Sequence, residues 1–319
     1  MKMFTKLALV SSMAISANAM AMQSMDDAAL SAATGQDGIN IGLGISSVTI
    51  DKLLIHDTDG YANNSGAAGT IGSGGTGVAG AIVVNNVSVT PNTAALLPSH
   101  NLADLKIDTD AGTTATGGAF LNVAAKVSGL NISLGKIEVA ASGTQGTTNI
   151  QRGTTGAANE ILSGLTLKTG TMDANIQLGA APQGAMIMLN TTMAGGLEIT
   201  NLGIKDKSTI GQQTSGAVAS TLAGEIRLDS IKVADNGSND MTVKANVSVV
   251  GESVAGANDG FLRIVSQSPA NGTDIYIKGV HLGSATAGSI GDVEIQGLKT
   301  TYGTGPTAGS GAVITISGH

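Results

Sequence analysis

The chain has no cysteine and no tryptophan, only three phenylalanines and three tyrosines, and charged residues fill just 12% of its 319 positions. Without thiols there is no disulfide staple and no cysteine-based zinc site. With 2% aromatic residues, it lacks the large fillers of an ordinary core and the flat platforms that hold sugar rings. Its net charge of −7 offers nothing to attract nucleic acid or anionic lipid. No stretch after the N-terminus reaches the roughly 18 apolar residues that a membrane-spanning helix requires. A core built under these limits must use small aliphatic side chains, which favours thin stacked sheets.

What the chain does have is 46 glycines and an eight-residue pattern with apolar residues at positions one, three, six and eight. The full copies are Val48, Ile50, Leu53, Ile55; Ile82, Val84, Val87, Val89; Ile132, Leu134, Ile137, Val139; Leu197, Ile199, Leu202, Ile204; Ile226, Leu228, Ile231, Val233; and Ile275, Ile277, Val280, Leu282. Val293, Ile295 and Leu298 form a shorter seventh. Intervening positions are polar or Gly, with Leu54 and Val83 the clear exceptions. Alternation of this kind marks a strand with one dry and one wet face. The two-residue break shifts the phase by one, which calls for either a tight hairpin or a bulge or corner in one continuous strand.

Residues 1–21 read as a secretory signal. Lys2 and Lys6 supply the charge, Leu7 to Ala17 the apolar stretch, and Ala17-Asn18-Ala19 or Ala19-Met20-Ala21 the cleavage site. Its removal leaves 14 basic and 23 acidic residues. Met25 to Thr34 predicts one short helix, with Asp26 and Asp27 at its start and Gly35 ending it. Ile39, Ile41, Leu43 and Ile45 then alternate strictly as a strand, bare on the other face at Gly42 and Gly44.

Gly60 to Gly80, Ser142 to Asn159 and Gly303 to Gly311 read as loops. Weaker strand candidates fill the gaps at Leu105 to Ile107, Phe120 to Val127, Leu165 to Leu167, Ile176 to Leu178, Met186 to Leu189, Val243 to Val249, Phe261 to Val265 and Val313 to Ile316. The fold expectation is all-β: an elongated Gly-rich stack of short strands, either an irregular, solenoid-like β-helix or an elongated β-sandwich. The expected organisation is a signal at 1–21, a helix and extension strand at 22–45, and a single β domain at 46–319.

Candidate chemistry is sparse. His56, His100, His281 and His319 are scattered, without metal-ligand spacing. Asp57-Thr58-Asp59-Gly60 and Asp108-Thr109-Asp110 set carboxylates two apart but lack the remaining ligands of a calcium loop, so they read as turns. No nucleophile elbow appears in an α/β setting. The expectation is a protein without catalytic residues, cofactor or metal.

Met25-Asp26-Asp27-Ala28-Ala29-Leu30-Ser31-Ala32-Ala33-Thr34-Gly35-Gln36-Asp37-Gly38-Ile39 resembles the N-terminal signature of FilA-type pilus assembly proteins, secreted by Gram-negative bacteria. The resemblance covers about 15 residues and implies a surface- or filament-associated role, with protein partners in an appendage. Chaperone–usher pilins are a poor match: their disulfide and near-terminal Tyr are missing from a chain ending Ser317-Gly318-His319.

The functional expectation is an exported, cell-surface structural component or assembly factor of a filament. It would associate by strand addition through Ile39, Ile41, Leu43 and Ile45, unless that strand pairs only within its own chain. The alternative is a monomeric adhesin or ligand-binding β module.

Overall fold

The computed structural model describes residues 38–62, 74–208, 210, 222–303 and 309–318. The expected signal at 1–21, the expected short helix at Met25 to Thr34 and His319 lie outside the described residues. The chain divides into two units, 1–39 and 40–319. That division falls within the first strand.

The strands in chain order are β1 (Gly38–Leu43), β2 (Val48–His56), β3 (Gly80–Pro91), β4 (Ala103–Asp110), β5 (Phe120–Val127), β6 (Leu130–Leu134), β7 (Ile137–Ser142), β8 (Thr154–Leu162), β9 (Leu165–Lys168) and β10 (Met172–Gly179). There follow β11 (Ile187–Met193), β12 (Leu197–Asp206), β13 (Gly224–Asp235), β14 (Met241–Val250), β15 (Phe261–Gln267), β16 (Thr273–Leu282), β17 (Val293–Leu298), β18 (Thr301–Tyr302), β19 (Gly309–Ser310) and β20 (Ala312–Ile316). An eight-stranded sheet runs β1-β4-β5-β10-β11-β14-β15-β20. A ten-stranded sheet begins at β2 and β3 and passes through the split strands β6/β7 and β8/β9 to β12, β13, β16 and β17. Every pair with a described register is antiparallel, so the chain is all-β, and among the described registers there is no parallel ladder of the β-helix kind. It nevertheless grows as a stack, contributing neighbouring strands alternately to one sheet and the other.

All six full repeat copies lie in the ten-stranded sheet, in two runs of three facing copies with β8 and β9 between the runs. Leu197, Ile199, Leu202 and Ile204 face Val233, Ile231, Leu228 and Ile226. Those in turn face Ile275, Ile277, Val280 and Leu282. At the other side, Val48, Ile50, Leu53 and Ile55 face Val89, Val87, Val84 and Ile82. The repeat is therefore a cross-strand ladder of aliphatic pairs, the unit by which a sheet face is stabilised.

The mid-repeat break is a kink in continuous strands and not a hairpin. Asn86 (φ 50°), Asn201 (φ 59°) and Gly279 (φ 64°) take the left-handed conformation at the same repeat position, which only Gly and Asn adopt at low cost. In the third copy the strand divides at Gly135-Lys136 into β6 and β7. The seventh copy is out of step: Val293 sits opposite Ile277 and Ile295 opposite Ile275.

The two exceptions to the pattern explain each other, because Leu54 and Val83 are cross-strand partners on the polar face. Val83 is only 4% exposed. The nearby Ala81 and Ala140, paired in register, are buried too. Residues of the 143–153 loop line a pocket with Leu54 and His56 on this side, and the Arg152 Nε–H donates to Gly143 O at 2.7 Å.

The dry face is less dry than the pattern predicts. Of its 24 repeat side chains only Val84 and Val87 are buried, and Val48, Ile50, Leu53, Ile55, Ile82, Val139, Ile204, Ile226 and Leu282 are exposed. The rest, Ile132, Leu202 and Ile277 among them, are half-buried on strands. Exposure has two sources. β2 is an edge, and Ile55, Ile82, Val139, Ile204, Ile226 and Leu282 form a row near the hairpin ends, away from the seam where the chain crosses between sheets.

That seam holds the tightest packing. β5 passes to β6 through Ser128-Gly129, and Ser128 is fully buried, its hydroxyl donating to Asn101 O at 2.6 Å and accepting from Leu97 N at 3.0 Å. Buried Asn92 donates to Thr169 O at 2.9 Å. A Cβ on Gly129 would lie 2.7 Å from Ala95 Cβ and from Thr169 O, so only Gly fits this crossing. Pairing these polar groups makes their burial tolerable.

The eight weaker strand candidates all occur as strands, seven of them in the eight-stranded sheet. Two loop expectations fail, the smaller at Gly309–Ser310, which form strand β19 against β18. Thr154–Leu162, mostly within the stretch read as loop, is strand β8. Its ladder to β7 is irregular, and its poor apolar pattern is compensated by backbone pairing with both β7 and β12.

Candidate functional site

Each sheet ends in two edge strands, and these are the most distinctive surfaces of the chain. β1 and β20 bound the eight-stranded sheet, and β2 and β17 bound the ten-stranded one. A strand edge offers a row of unpaired N–H and C=O groups, which proteins commonly guard with Lys, Pro or a bulge. Neither β1 (GINIGL) nor β20 (AVITI) contains a charged residue or a proline.

Of the expected assembly residues, Ile39 is 61% exposed, Ile41 is exposed and Leu43 is half-buried. Ile45 is exposed but lies beyond β1, which ends at Leu43, so the strand is shorter than the alternation suggests. β1 does pair within its own chain, beside β4. Leu102 N donates to Leu43 O at 2.9 Å, and a Cβ on Gly42 would come within 2.5 Å of Asn101 Nδ2. One side of β1 is thus committed, and its other side has no partner strand among the described residues. At the far edge Ile314 and Ile316 are exposed. The alternation of β20 was legible in the sequence, but its place at an edge was not.

Among the described residues, the polar face of the ten-stranded sheet carries the one concentration of charged groups with a buried member. Glu225 accepts hydrogen bonds from Lys205 Nζ and, at 3.1 Å, from Ser163 Oγ, and its side chain is 4% exposed. Both carboxylate oxygens are occupied, so it is a satisfied ion pair and no free base. Register places Lys205 opposite Glu225 and Arg227 opposite His281. Arg227 Nη2 donates to Asn201 Oδ1 at 3.3 Å, and His281 Nε2 lies 3.3 Å from Asp229 Oδ2.

The acceptor at Ala287 O, 2.6 Å from Nδ1, and then Asp229 raise the His281 pKa above its usual value. A groove of about 470 Å³ passes this cluster. Among the described residues no histidine is bonded to Ser163 to make it a nucleophile.

The other sequence candidates stay apart. His56 Nδ1 lies 2.7 Å from Ser142 Oγ, and His100 occupies a turn at φ 58°. Asp57 accepts from Asp59 N at 3.3 Å and Asp110 from Gly112 N at 2.6 Å, the self-bonded turns expected of these motifs. Among the described residues no three His, Asp or Glu side chains gather as a metal site, and no helix is long and apolar enough to cross a membrane.

Residues 1–112 match the model of a family described as one of unknown function (DUF6160). The matched stretch runs through β4 and so includes both edge strands on the N-terminal side. No curated protein and no solved structure matches the chain.

Proposed function

We propose that this protein is an exported, non-enzymatic structural component or assembly factor of a surface filament, associating by β-strand addition. The observation that carries the reading is a pair of unguarded edges, β1 and β20, with exposed aliphatic side chains and no charge to oppose another strand. A soluble monomer would ordinarily blunt such edges.

Deletion of residues 39–45 tests it. A variant that folds but no longer forms higher species in sedimentation and electron microscopy supports strand addition, whereas unchanged assembly removes β1 from it.

A monomeric surface binder is the second reading, favoured by the groove past Lys205 and Arg227. Monodisperse monomers at all concentrations would select it.

A further inference from the structure

Resting on the strand-addition reading, we propose that the partner of each open end is the opposite end of a second copy of this chain, joined head to tail so that both sheets continue unbroken. Strand direction carries the inference. β1 runs toward the seam and β20 away from it; β2 runs away from the seam and β17 toward it. β1 set beside β20 of another copy is therefore antiparallel, and β2 set beside β17 is antiparallel in the same step. This follows because each sheet has an even number of levels, the ten strands counting as eight once β6/β7 and β8/β9 are taken as split strands. Two like edges can also pair antiparallel, but only after a two-fold rotation that carries the two seams to opposite ends of the joined strands. One sheet would be joined and the other left open.

The side chains fit this arrangement. Exposed Val48, Ile50, Leu53 and Ile55 on β2 continue the aliphatic rows that end in exposed Val293, Ile295 and Leu298 on β17. On the other sheet the exposed Ile41 of β1 would join rows ending at Ile314 and Ile316. The ends are complementary and unlike, so the contact is heterologous and does not close on itself unless the stack curves. Contacts of that type generate filaments.

Because the chain has no cysteine, introduced thiols report this contact alone. Full-length Ile41→Cys and Ile314→Cys chains, both altered at exposed positions, are oxidised separately and as a mixture. Head-to-tail joining predicts a cross-linked dimer in the mixture only, and a ladder of multimers from the doubly substituted chain. Self-linking of Ile41→Cys alone would overturn the inference while leaving strand addition standing. Ile314→Lys gives a second measure: it should abolish self-association yet still add to one end of wild-type chains and stop their growth. Monomers of wild type at every concentration, with no cross-link in any sample, would overturn both this inference and the reading beneath it.

Discussion

Adding a methyl group at Gly279 tests the left-handed kink that keeps the β16 copy of the repeat in phase. Gly279 has φ 64°, and so does Gly297 on the neighbouring edge strand. A side chain held in this left-handed region costs about 1–2 kcal/mol, so Gly297→Ala should lose about that much, since the nearest atom to its new Cβ is 3.6 Å away. At Gly279 the added Cβ would lie 2.2 Å from Asp229 Oδ2 and 2.7 Å from its Cγ. The carboxylate must move, and its contact with His281 goes with it. Gly279→Ala should therefore be the more destabilising of the two and should also lower the His281 pKa toward its ordinary value. Urea unfolding, read by midpoint at constant slope, measures the first effect and imidazole NMR titration the second. Equal losses at the two sites, or none at either, would refute the kink as the device that preserves the phase.

Val83→Ala, on the nominally wet face but 4% exposed, should cost at least about 1.6 kcal/mol for two buried methyl groups, and Val139→Ala on the nominally dry face, at 40% exposure, should cost clearly less; urea midpoints that reverse this order would contradict the burial described. For His281, whose folded pKa is raised, the associated stability is fully present below the unfolded value and lost as pH rises through the folded one. Asp229→Asn should shrink that loss in melts recorded across neutral pH, and an unaltered profile would exclude Asp229 as a cause. Asp274 behaves oppositely. Hydrogen bonds from Asn236 and from the backbone of Gly237 and Gly297 depress its pKa, so its contribution holds above the ordinary carboxylate range and fades as pH falls through the folded value. Asp274→Asn should flatten the acid limb of the stability curve.

Much of this was legible because one physical rule, alternation on a pleated strand, marked residues such as Ile199, Ile231 and Ile277, which proved to be direct neighbours across three strands. The rule says which side chains share a face but not what covers that face. Hence Ile204 and Leu282 carry the dry-face pattern yet are exposed, while Val83 breaks the pattern yet is among the most buried. Sequence does not separate hairpin from kink because Asn-Gly-type turn chemistry and a left-handed kink use the same residues, as at Asn86 and Asn201. β8 leaves no mark in the sequence because Thr154 to Glu160 has almost no apolar side chain, and its place is held by backbone bonds to its neighbours. For the candidate edges, the composition of β1 and β20 was visible, but the direction each runs relative to the seam emerges only once the whole topology is known.

Amide hydrogen exchange on the full chain over a rising concentration series puts the assembly to the most direct trial. Recruitment of each copy through its four bounding strands predicts added protection at β1, β2, β17 and β20 as concentration increases, with interior strands such as β12 and β13 unchanged. Exchange at those four strands that is indifferent to concentration would contradict it.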